Sequence, residues 1–330
     1  MAMLPLLDRD REARLRRVLP GIEVAALAPA LARIEALKRA RRAVVLAHNY
    51  QTPDIFHGVA DLTGDSLALA REAARTDAEV IVLCGVHFMA ETAKLLNPGK
   101  TVLLPDLGAG CSLASSITAQ DVRRLRAAHP GLPVVAYVNT SAAVKAEADI
   151  CCTSANALEV VESLGTPAAI FLPDRYLGRH VASRTRVRLV LWEGACEVHE
   201  RFTGREVDEL RDTHAGIRVL AHPECPPDVL EKADHVGSTA DMVRYLKAER
   251  PRQAVLLTEC SMSDNVAAEL PEVDLVRPCN LCPHMKTITL AKIERSLLEM
   301  RHRIEIPEPL ASRARRAVER MLEVPAGIGR

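Results

Sequence analysis

Short apolar segments alternate with helical patterns along most of the chain, and the same order of elements occurs three times. Each repeat opens with an apolar strand that ends in polar residues, at positions 43–50, 133–139 and 217–224. Two further strands, separated by helices, follow in every repeat, and a fourth strand closes it. Such alternation predicts parallel sheets whose crossovers place helices on both faces. The sequence therefore predicts an α/β protein with three pseudo-symmetric α/β/α sandwich units around a central active site.

Three cysteines mark the ends of these repeats. Cys111, Cys196 and Cys282 are spaced by 85 and 86 residues, and each follows the strand that closes its unit. The predicted units are residues 1–112, which include N-terminal helices, residues 113–196 and residues 197–283. Residues 284–330 are predicted to form C-terminal helices that pack on the first unit.

Polar residues stand at equivalent strand ends in the three units. In parallel sheets, ligands bind beyond the carboxyl ends of the strands, so these side chains are expected to meet at one site. Together they would supply proton donors, proton acceptors and one carboxylate. The set comprises His48, Tyr50, Tyr137, Asn139, His222 and Glu224.

A hydroxyl group also recurs in each unit, before a helical pattern, at Ser66, Ser154 and Thr239. These residues are predicted to be helix N-caps. Helix N-termini present unpaired N–H groups, so three of them together would bind a phosphate or carboxylates. A Gly-rich dinucleotide fingerprint and a P-loop are both missing from the sequence, which argues against a nucleotide as this anion.

Composition narrows the function further. Lys and Arg number 43, as do Asp and Glu, and aromatic residues make up 3% of the chain, so neither nucleic-acid binding nor an anionic membrane surface is indicated. Residues 1–7 lack a signal-peptide pattern, and no run of about 18 apolar residues occurs, so a cytoplasmic protein without a membrane span is expected. Nine cysteines in a reducing compartment favour metal or redox chemistry over disulfides.

Three thiolates fall one short of a closed four-cysteine site. They suit either a cubane iron–sulfur cluster with one open iron or a zinc ion with an open position, and the open metal would act as a Lewis acid. Cys279 precedes Cys282 in a Cys-x-x-Cys pair and is interpreted as a spare thiol, free to form a reversible disulfide. The five remaining cysteines are interpreted as structural: Cys84, Cys151, Cys152, Cys225 and Cys260.

Eight short segments, in order from about residue 43 to residue 290, resemble the quinolinate synthase family. They are His48-Asn-Tyr-Gln51, Gly64-Asp-Ser66, Asp106-Leu-Gly-Ala-Gly-Cys-Ser-Leu-Ala114, Tyr137-Val-Asn-Thr-Ser141, Cys152-Thr-Ser-Ala-Asn156, Trp192-Glu-Gly-Ala-Cys-Glu-Val-His199, Ala221-His-Pro-Glu-Cys225 and Cys282-Pro-His-Met-Lys286. The resemblance implies condensation of iminoaspartate with dihydroxyacetone phosphate to quinolinate, with release of phosphate and two waters, in de novo NAD biosynthesis. It also implies a functional link to the aspartate-oxidising enzyme that supplies iminoaspartate.

The resemblance implies one 4Fe-4S cluster per chain, with Cys111, Cys196 and Cys282 as its ligands. By the same match, Ser66, Ser154 and Thr239 would hold the phosphate or the substrate carboxylates. His48, Tyr50, Tyr137, Asn139, His222 and Glu224 would orient and protonate intermediates. As a hypothesis, Glu224 is the main general base, Tyr50 and Tyr137 assist isomerisation and proton shuttling, and the open iron assists dehydration.

One departure from the family and two alternatives remain open. Part of the family carries a Cys-x-x-Cys-x-x-Cys run at the third ligand, whereas this chain has Val276 at the first position of that run. A Cys279–Cys282 disulfide would still eject the cluster if it formed. The alternatives are a zinc-dependent hydrolase or lyase on the same three cysteines and a non-catalytic iron–sulfur sensor that reports redox state to a partner.

Overall fold

Three separate four-stranded parallel sheets form the framework of the protein in a computed structural model that describes residues 9–325. Residues 1–8 and 326–330 lie outside the described part. The segment 1–7, whose sequence lacks a signal-peptide pattern, is therefore among the residues that the structure does not describe. Each sheet comes from one of the three sequence repeats, and all the strand pairs within it are parallel. The predicted fold of three α/β units is therefore confirmed.

The first unit contains a sheet with the strand order β2-β1-β3-β4. Its elements, with the two N-terminal helices, are α1 (Arg9–Val18), α2 (Gly21–Arg41), β1 (Ala43–His48), α3 (Pro53–Phe56), β2 (Leu62–Gly64), α4 (Ser66–Arg75), β3 (Val80–Cys84), α5 (His87–Leu96), β4 (Thr101–Leu103) and α6 (Ser112–Ser115). All five residues of β3 are buried, because helices cover both faces of a parallel sheet and leave only apolar positions between them.

The second and third units repeat this order, as β6-β5-β7-β8 and β10-β9-β11-β12. The second contains α7 (Ala119–Ala128), β5 (Val134–Tyr137), α8 (Ala142–Lys145), β6 (Ile150–Cys152), α9 (Ala157–Ser163), β7 (Ala168–Leu172), α10 (Arg175–Ala182) and β8 (Arg188–Leu191). The third contains α11 (Gly204–Thr213), β9 (Arg218–Ala221), α12 (Pro227–Leu230), β10 (His235–Val236), α13 (Thr239–Glu249), β11 (Gln253–Leu257), α14 (Ser261–Glu269) and β12 (Asp274–Val276). Two 3₁₀ turns, at His199–Arg201 and Met285–Thr287, lie near the second and third cysteines.

Helices from both ends of the chain fasten the units to one another. Helix α15 (Leu290–Glu299) packs along α2, and α16 (Leu310–Glu323) packs against α5 of the first unit and against α8 and β6 of the second. Helix α1 packs on α14 of the third unit, where Arg17 donates a hydrogen bond of 2.8 Å to the Ala268 carbonyl. These contacts hold the three sheets around a common centre, while the exact unit boundaries after residues 112, 196 and 283 stay a prediction.

None of the helices within residues 9–325 combines the length and the apolar character that a bilayer span needs.

Candidate active site

A central cavity lies where the carboxyl ends of the three sheets meet, and it encloses about 720 Å³ of empty space, including its opening to solvent. Its lining includes all twelve residues that the sequence singled out. They are His48, Tyr50, Ser66 and Cys111 from the first unit, Tyr137, Asn139, Ser154 and Cys196 from the second, and His222, Glu224, Thr239 and Cys282 from the third. Equivalent positions of the three repeats thus converge on one site, as the strand-end argument expects.

Glu224 is buried among the acid–base groups of this cavity. Its Oε1 accepts a hydrogen bond from the Tyr137 hydroxyl, and its Oε2 lies 2.8 Å from His199 Nδ1. The His199 ring stacks on that of His222, with 4.6 Å between the ring centroids. Side chains from two units therefore share one network of proton donors and acceptors.

The carboxylate of Glu224 is held in its ionised form. Burial by itself would raise the pKa of Glu224, but the neighbouring His222 and His199 and the hydrogen bonds from His199 and Tyr137 lower it to about 2. Burial also lowers the pKa of His222 to about 3, so that imidazole is neutral at pH 7 and carries no compensating charge. We therefore attribute the ionised state of Glu224 at neutral pH to its two hydrogen bonds.

His48, Tyr50 and Tyr137 near this carboxylate are neutral at pH 7. Burial lowers the pKa of His48 to about 3. Burial, followed by the charge of Glu224, raises the pKa of both Tyr50 and Tyr137 well above the ordinary value for a phenol. At neutral pH the Glu224 carboxylate thus lies near the neutral imidazoles of His48 and His222 and near two phenols that still carry their protons.

Two residues of this network, Thr258 and His199, were missed in the sequence. Thr258 Oγ1 lies 2.6 Å from the Tyr50 hydroxyl and 2.9 Å from His199 Nε2. His199 Nδ1 faces Glu224 and also lies 3.2 Å from Cys196 Sγ. Both positions carried a usable signal, because Thr258 directly follows β11 and His199 stands three residues after a predicted metal ligand.

Replacing Thr258 by Val removes the hydroxyl that joins Tyr50 to His199 and keeps the shape of the side chain. Both partners lose a buried hydrogen bond, so the free energy of unfolding should fall by about 1–3 kcal/mol. Turnover should fall as well, because the Tyr50 phenol is no longer oriented. Urea denaturation and steady-state rates measure the two effects, with the exposed Thr213→Val as control. Unchanged stability and turnover would show that this hydroxyl neither stabilises the fold nor orients the Tyr50 phenol.

The three predicted metal ligands lie at the cavity wall, half-buried. Burial raises the pKa of Cys111 to about 12 and raises the pKa of Cys196 and of Cys282 as well. Without a cation these sulfurs therefore stay protonated, whereas a bound metal stabilises the thiolate form. The donor set thus fits a metal cofactor.

The potential ligand atoms of the described residues include one compact group, and it is not the three thiols. Within residues 9–325, the one group of three potential ligand atoms that all lie within 4.8 Å of one another is Cys196, His199 and Glu224, and the three thiols do not form such a group. Three thiolates on one tetrahedral zinc, with Zn–S bonds of about 2.3 Å, would lie only about 3.8 Å apart. The three thiols would therefore have to move closer together to share one zinc ion, whereas the ligand atoms of Cys196, His199 and Glu224 already lie close enough to share an ion.

Residues next to the three ligands pack on one another. His284, two residues after Cys282, lies with its Nε2 3.0 Å from Glu197 Oε1, and Glu197 directly follows Cys196. Gly110, directly before Cys111, also lies near this ring, because a Cβ at Gly110 would be in van der Waals contact with His284 Nδ1, at 3.4 Å. The side chain of His284 therefore lies close to all three ligand loops.

Lys286 connects the third ligand loop to the acid–base groups. Its Nζ lies 2.9 Å from the buried carboxylate of Glu259 and donates hydrogen bonds to the Tyr50 carbonyl at 2.6 Å and to Ser261 Oγ at 2.7 Å. Glu259 in turn accepts a hydrogen bond of 3.4 Å from the backbone N–H of Cys282. One buried ion pair thus positions both a predicted cluster ligand and a catalytic tyrosine candidate.

The three hydroxyl residues reach the cavity, but they are not the helix caps predicted above. The prediction placed the caps at Ser66, Ser154 and Thr239. In the structure Asp65 caps α4, Ser238 caps α13 through a capping box, and Asn156 occupies the cap position of α9. The prediction was wrong by one or two residues, because Asp65 and Ser238 stand directly before two of the predicted caps and accept the backbone N–H bonds instead. The Asn156 side chain makes no capping hydrogen bond.

This shift leaves the hydroxyls available to a ligand. Thr239 Oγ1 accepts a hydrogen bond of 2.8 Å from Asn49, and Ser154 Oγ lies 3.3 Å from His222 Nε2. Asn139 Oδ1 is buried and has no hydrogen-bond partner in the described part of the chain. A polar ligand in the cavity would satisfy these groups.

The fold and the site together define an α/β enzyme whose catalytic cavity is assembled from three repeated units and carries a thiol-lined site for a metal cofactor. A model of one family, described as quinolinate synthetase A protein (NadA), matches residues 32–323 of this chain. That match covers all twelve site residues and nearly the whole of the three units.

Three related proteins agree with this match. Quinolinate synthase 1 of Mesorhizobium japonicum is 65% identical over 311 residues, which are 94% of this chain and 96% of that protein. The quinolinate synthase of Agrobacterium fabrum is 62% identical over 94% of this chain and 90% of its own length, and that of Caulobacter vibrioides is 55% identical over 90% and 82%. The chain belongs to the quinolinate synthetase A family, and it is an enzyme of NAD biosynthesis.

Proposed function

We propose that this chain condenses iminoaspartate with dihydroxyacetone phosphate to form quinolinate, with release of phosphate and two waters. The observation that carries this proposal is the convergence of the three thiols, the acid–base network and the three hydroxyls on one cavity. The family membership supports the same reaction. The alternative class, a non-catalytic iron–sulfur sensor, does not require a buried carboxylate with two hydrogen-bonded partners.

Cys111, Cys196 and Cys282 would hold a 4Fe-4S cluster, since thiolates are the usual ligands of such a cluster and all three cysteines line the same cavity. When bound, the cluster supplies one iron that lacks a cysteine ligand and can act as a Lewis acid. The side chains that face the cavity remain responsible for binding, orientation and proton transfer.

Ser66, Ser154 and Thr239 would bind the anionic groups of the substrates, together with the amide of Asn139. Ser66 is the first residue of α4 and Thr239 is the first of α13, so the N-terminal ends of two helices of eight residues or more contribute their partial positive charge. The neutral imidazoles of His48 and His222 can donate further hydrogen bonds without adding charge.

Glu224 would act as the main general base. Its carboxylate is ionised at neutral pH and can take a proton from a substrate carbon or hydroxyl group. The Tyr137 phenol already donates to Glu224 and can return a proton to a leaving hydroxyl. Tyr50 is connected to the same carboxylate through Thr258 and His199, which makes a second route for a proton.

The neutral net charge of the chain favours small molecules as its partners. Iminoaspartate would come from an aspartate-oxidising enzyme in the cytoplasm, and the partners of this chain are therefore small molecules and that functional neighbour.

Ser66→Ala tests anion binding without disturbing the helix, because Asp65 keeps the cap of α4. A hydrogen bond to a charged group contributes about 1.5–3 kcal/mol, so the KM of the substrate held by this hydroxyl should rise about ten- to a hundredfold. The KM of the other substrate and the thermal midpoint should change little. Ser312→Ala, at the exposed start of α16, is the matched control. If neither KM changes, this hydroxyl does not contact substrate.

The reaction itself is tested with anaerobically purified, cluster-loaded protein. Iminoaspartate and dihydroxyacetone phosphate are supplied together, and quinolinate and phosphate are quantified separately. We expect equal amounts of both products, and neither when one substrate is omitted. Phosphate without quinolinate, or no turnover by a protein with a full cluster, would refute the proposed reaction.

A further inference from the structure

Two cysteines outside the lining of the catalytic cavity lie against each other. Cys260 Sγ and Cys279 Sγ are 2.9 Å apart. Cys279 is exposed, and Cys260 is buried with 8% of its surface accessible. From the sequence, Cys279 is expected to pair with Cys282, and Cys260 is interpreted as structural. The contact between Cys260 and Cys279 changes which thiols can react with each other.

The backbone around this pair keeps the two sulfurs together. Cys260 directly precedes α14, and its N–H donates a hydrogen bond of 3.3 Å to the carbonyl of Asn280, the residue after Cys279. A disulfide bond is about 2.05 Å long, so the two sulfurs need to approach by only about 0.9 Å more. The backbone hydrogen bond between Cys260 and Asn280 keeps the two segments side by side for this approach.

Cys282 is less available than Cys260 as a partner for Cys279. The Cys282 thiol is directed to the cavity as a predicted ligand, and the backbone N–H of Cys282 is bonded to Glu259 Oε1. A Cys279–Cys282 disulfide therefore requires one sulfur to leave the cavity. A Cys260–Cys279 disulfide joins two sulfurs that are 2.9 Å apart and belong to residues outside the cavity lining.

We propose that Cys260 and Cys279 form a redox-active dithiol that reacts with low-molecular-weight disulfides and spares the cluster ligand Cys282. The exposed Cys279 thiolate attacks the external disulfide and releases one thiol, which leaves a mixed disulfide on Cys279. The Cys260 thiolate then attacks the Cys279 sulfur and releases the second thiol. The external disulfide is reduced to two thiols, and the protein dithiol is oxidised to one disulfide.

The proposed Cys260–Cys279 disulfide would restrain the third ligand loop. Cys260 follows Glu259, whose carboxylate holds both the Cys282 N–H and Lys286. Cys279 lies three residues before Cys282 in the same loop. The disulfide would thus tie that loop to the start of α14 and keep Cys282 in place during mild oxidation.

The test uses cluster-loaded protein that is treated with oxidised glutathione without oxygen and then alkylated and digested. We expect a disulfide-linked peptide pair that contains Cys260 and Cys279, the loss of two alkylatable thiols per chain, and unchanged iron content. In Cys260→Ser the linked pair should vanish, and Cys279 should carry glutathione instead. The matched Cys225→Ser, at another buried cysteine of the third unit, should form the same linked pair as the original protein.

These readouts do not depend on the proposed reaction, because peptide mapping and iron content require no turnover. A linked pair of Cys279 with Cys282, accompanied by loss of iron, would overturn the proposal. Full alkylation of both Cys260 and Cys279 after prolonged treatment would overturn it as well. The measurement on the original sequence decides the question even if a variant fails to fold.

Discussion

Cys282→Ser is expected to abolish both the iron–sulfur cluster and quinolinate formation. Anaerobically purified protein of the original sequence should contain about four irons with matching acid-labile sulfide and a brown visible spectrum, as a cubane cluster requires. A serine hydroxyl is a poor replacement for a soft thiolate, and only two cysteine ligands then remain at the cavity. Iron analysis, sulfide analysis and the visible spectrum measure the loss.

Cys279→Ser is the matched control for this variant, since it changes a cysteine of the same loop that is exposed. It should keep its iron, its colour and its turnover under anaerobic conditions. If the original protein is colourless or carries zinc even after anaerobic reconstitution with iron and sulfide, the cluster assignment is wrong. If both variants lose iron equally, the loop as a whole rather than the Cys282 thiol holds the metal.

The repeat explains why so much of the fold could be predicted from the sequence. The apolar segments that predicted the opening strands contain β1, β5 and β9, and the six polar residues singled out at the ends of these segments all line the cavity. A parallel sheet buries both faces, so its strands read as continuous apolar runs, and their carboxyl ends meet at one edge. The spacing of the three cysteines, 85 and 86 residues, indicated in addition that equivalent ends of the three units meet at one site.

Residues whose roles depend on contacts distant in sequence and not repeated in the three units could not be found from the repeat. Thr258 has no equivalent among the predicted strand-end groups, and its partners Tyr50 and His199 are 208 and 59 residues away in sequence. The contact between Cys260 and Cys279 likewise arises from how α14 meets the loop after β12. The prediction of the helix caps was wrong for a local reason, because adjacent polar residues compete for the same backbone N–H groups.

Glu224→Gln is expected to lower kcat by about 10²–10⁴-fold, the usual range for the loss of a general acid or base. The amide retains the size of the carboxylate and an oxygen that can still accept from Tyr137, but it cannot take a proton. KM and iron content should change little, because neither the hydroxyls nor the three thiols are altered. Steady-state kinetics and iron analysis on the same preparation separate these effects.

Stability distinguishes a lost base from a damaged site. The lowered pKa of Glu224 means that the folded protein favours the charged carboxylate in spite of its burial, so Glu224→Gln should lower the thermal midpoint. A lost base leaves a cooperative transition and a full cluster, whereas a damaged site loses iron as well. Glu305→Gln, at an exposed ion pair with Lys94, controls for the substitution itself and should leave kcat unchanged. Near-normal turnover by a Glu224→Gln variant with a full cluster would mean that another group takes the proton. Tyr50, connected through Thr258 and His199, would then be the first residue to test.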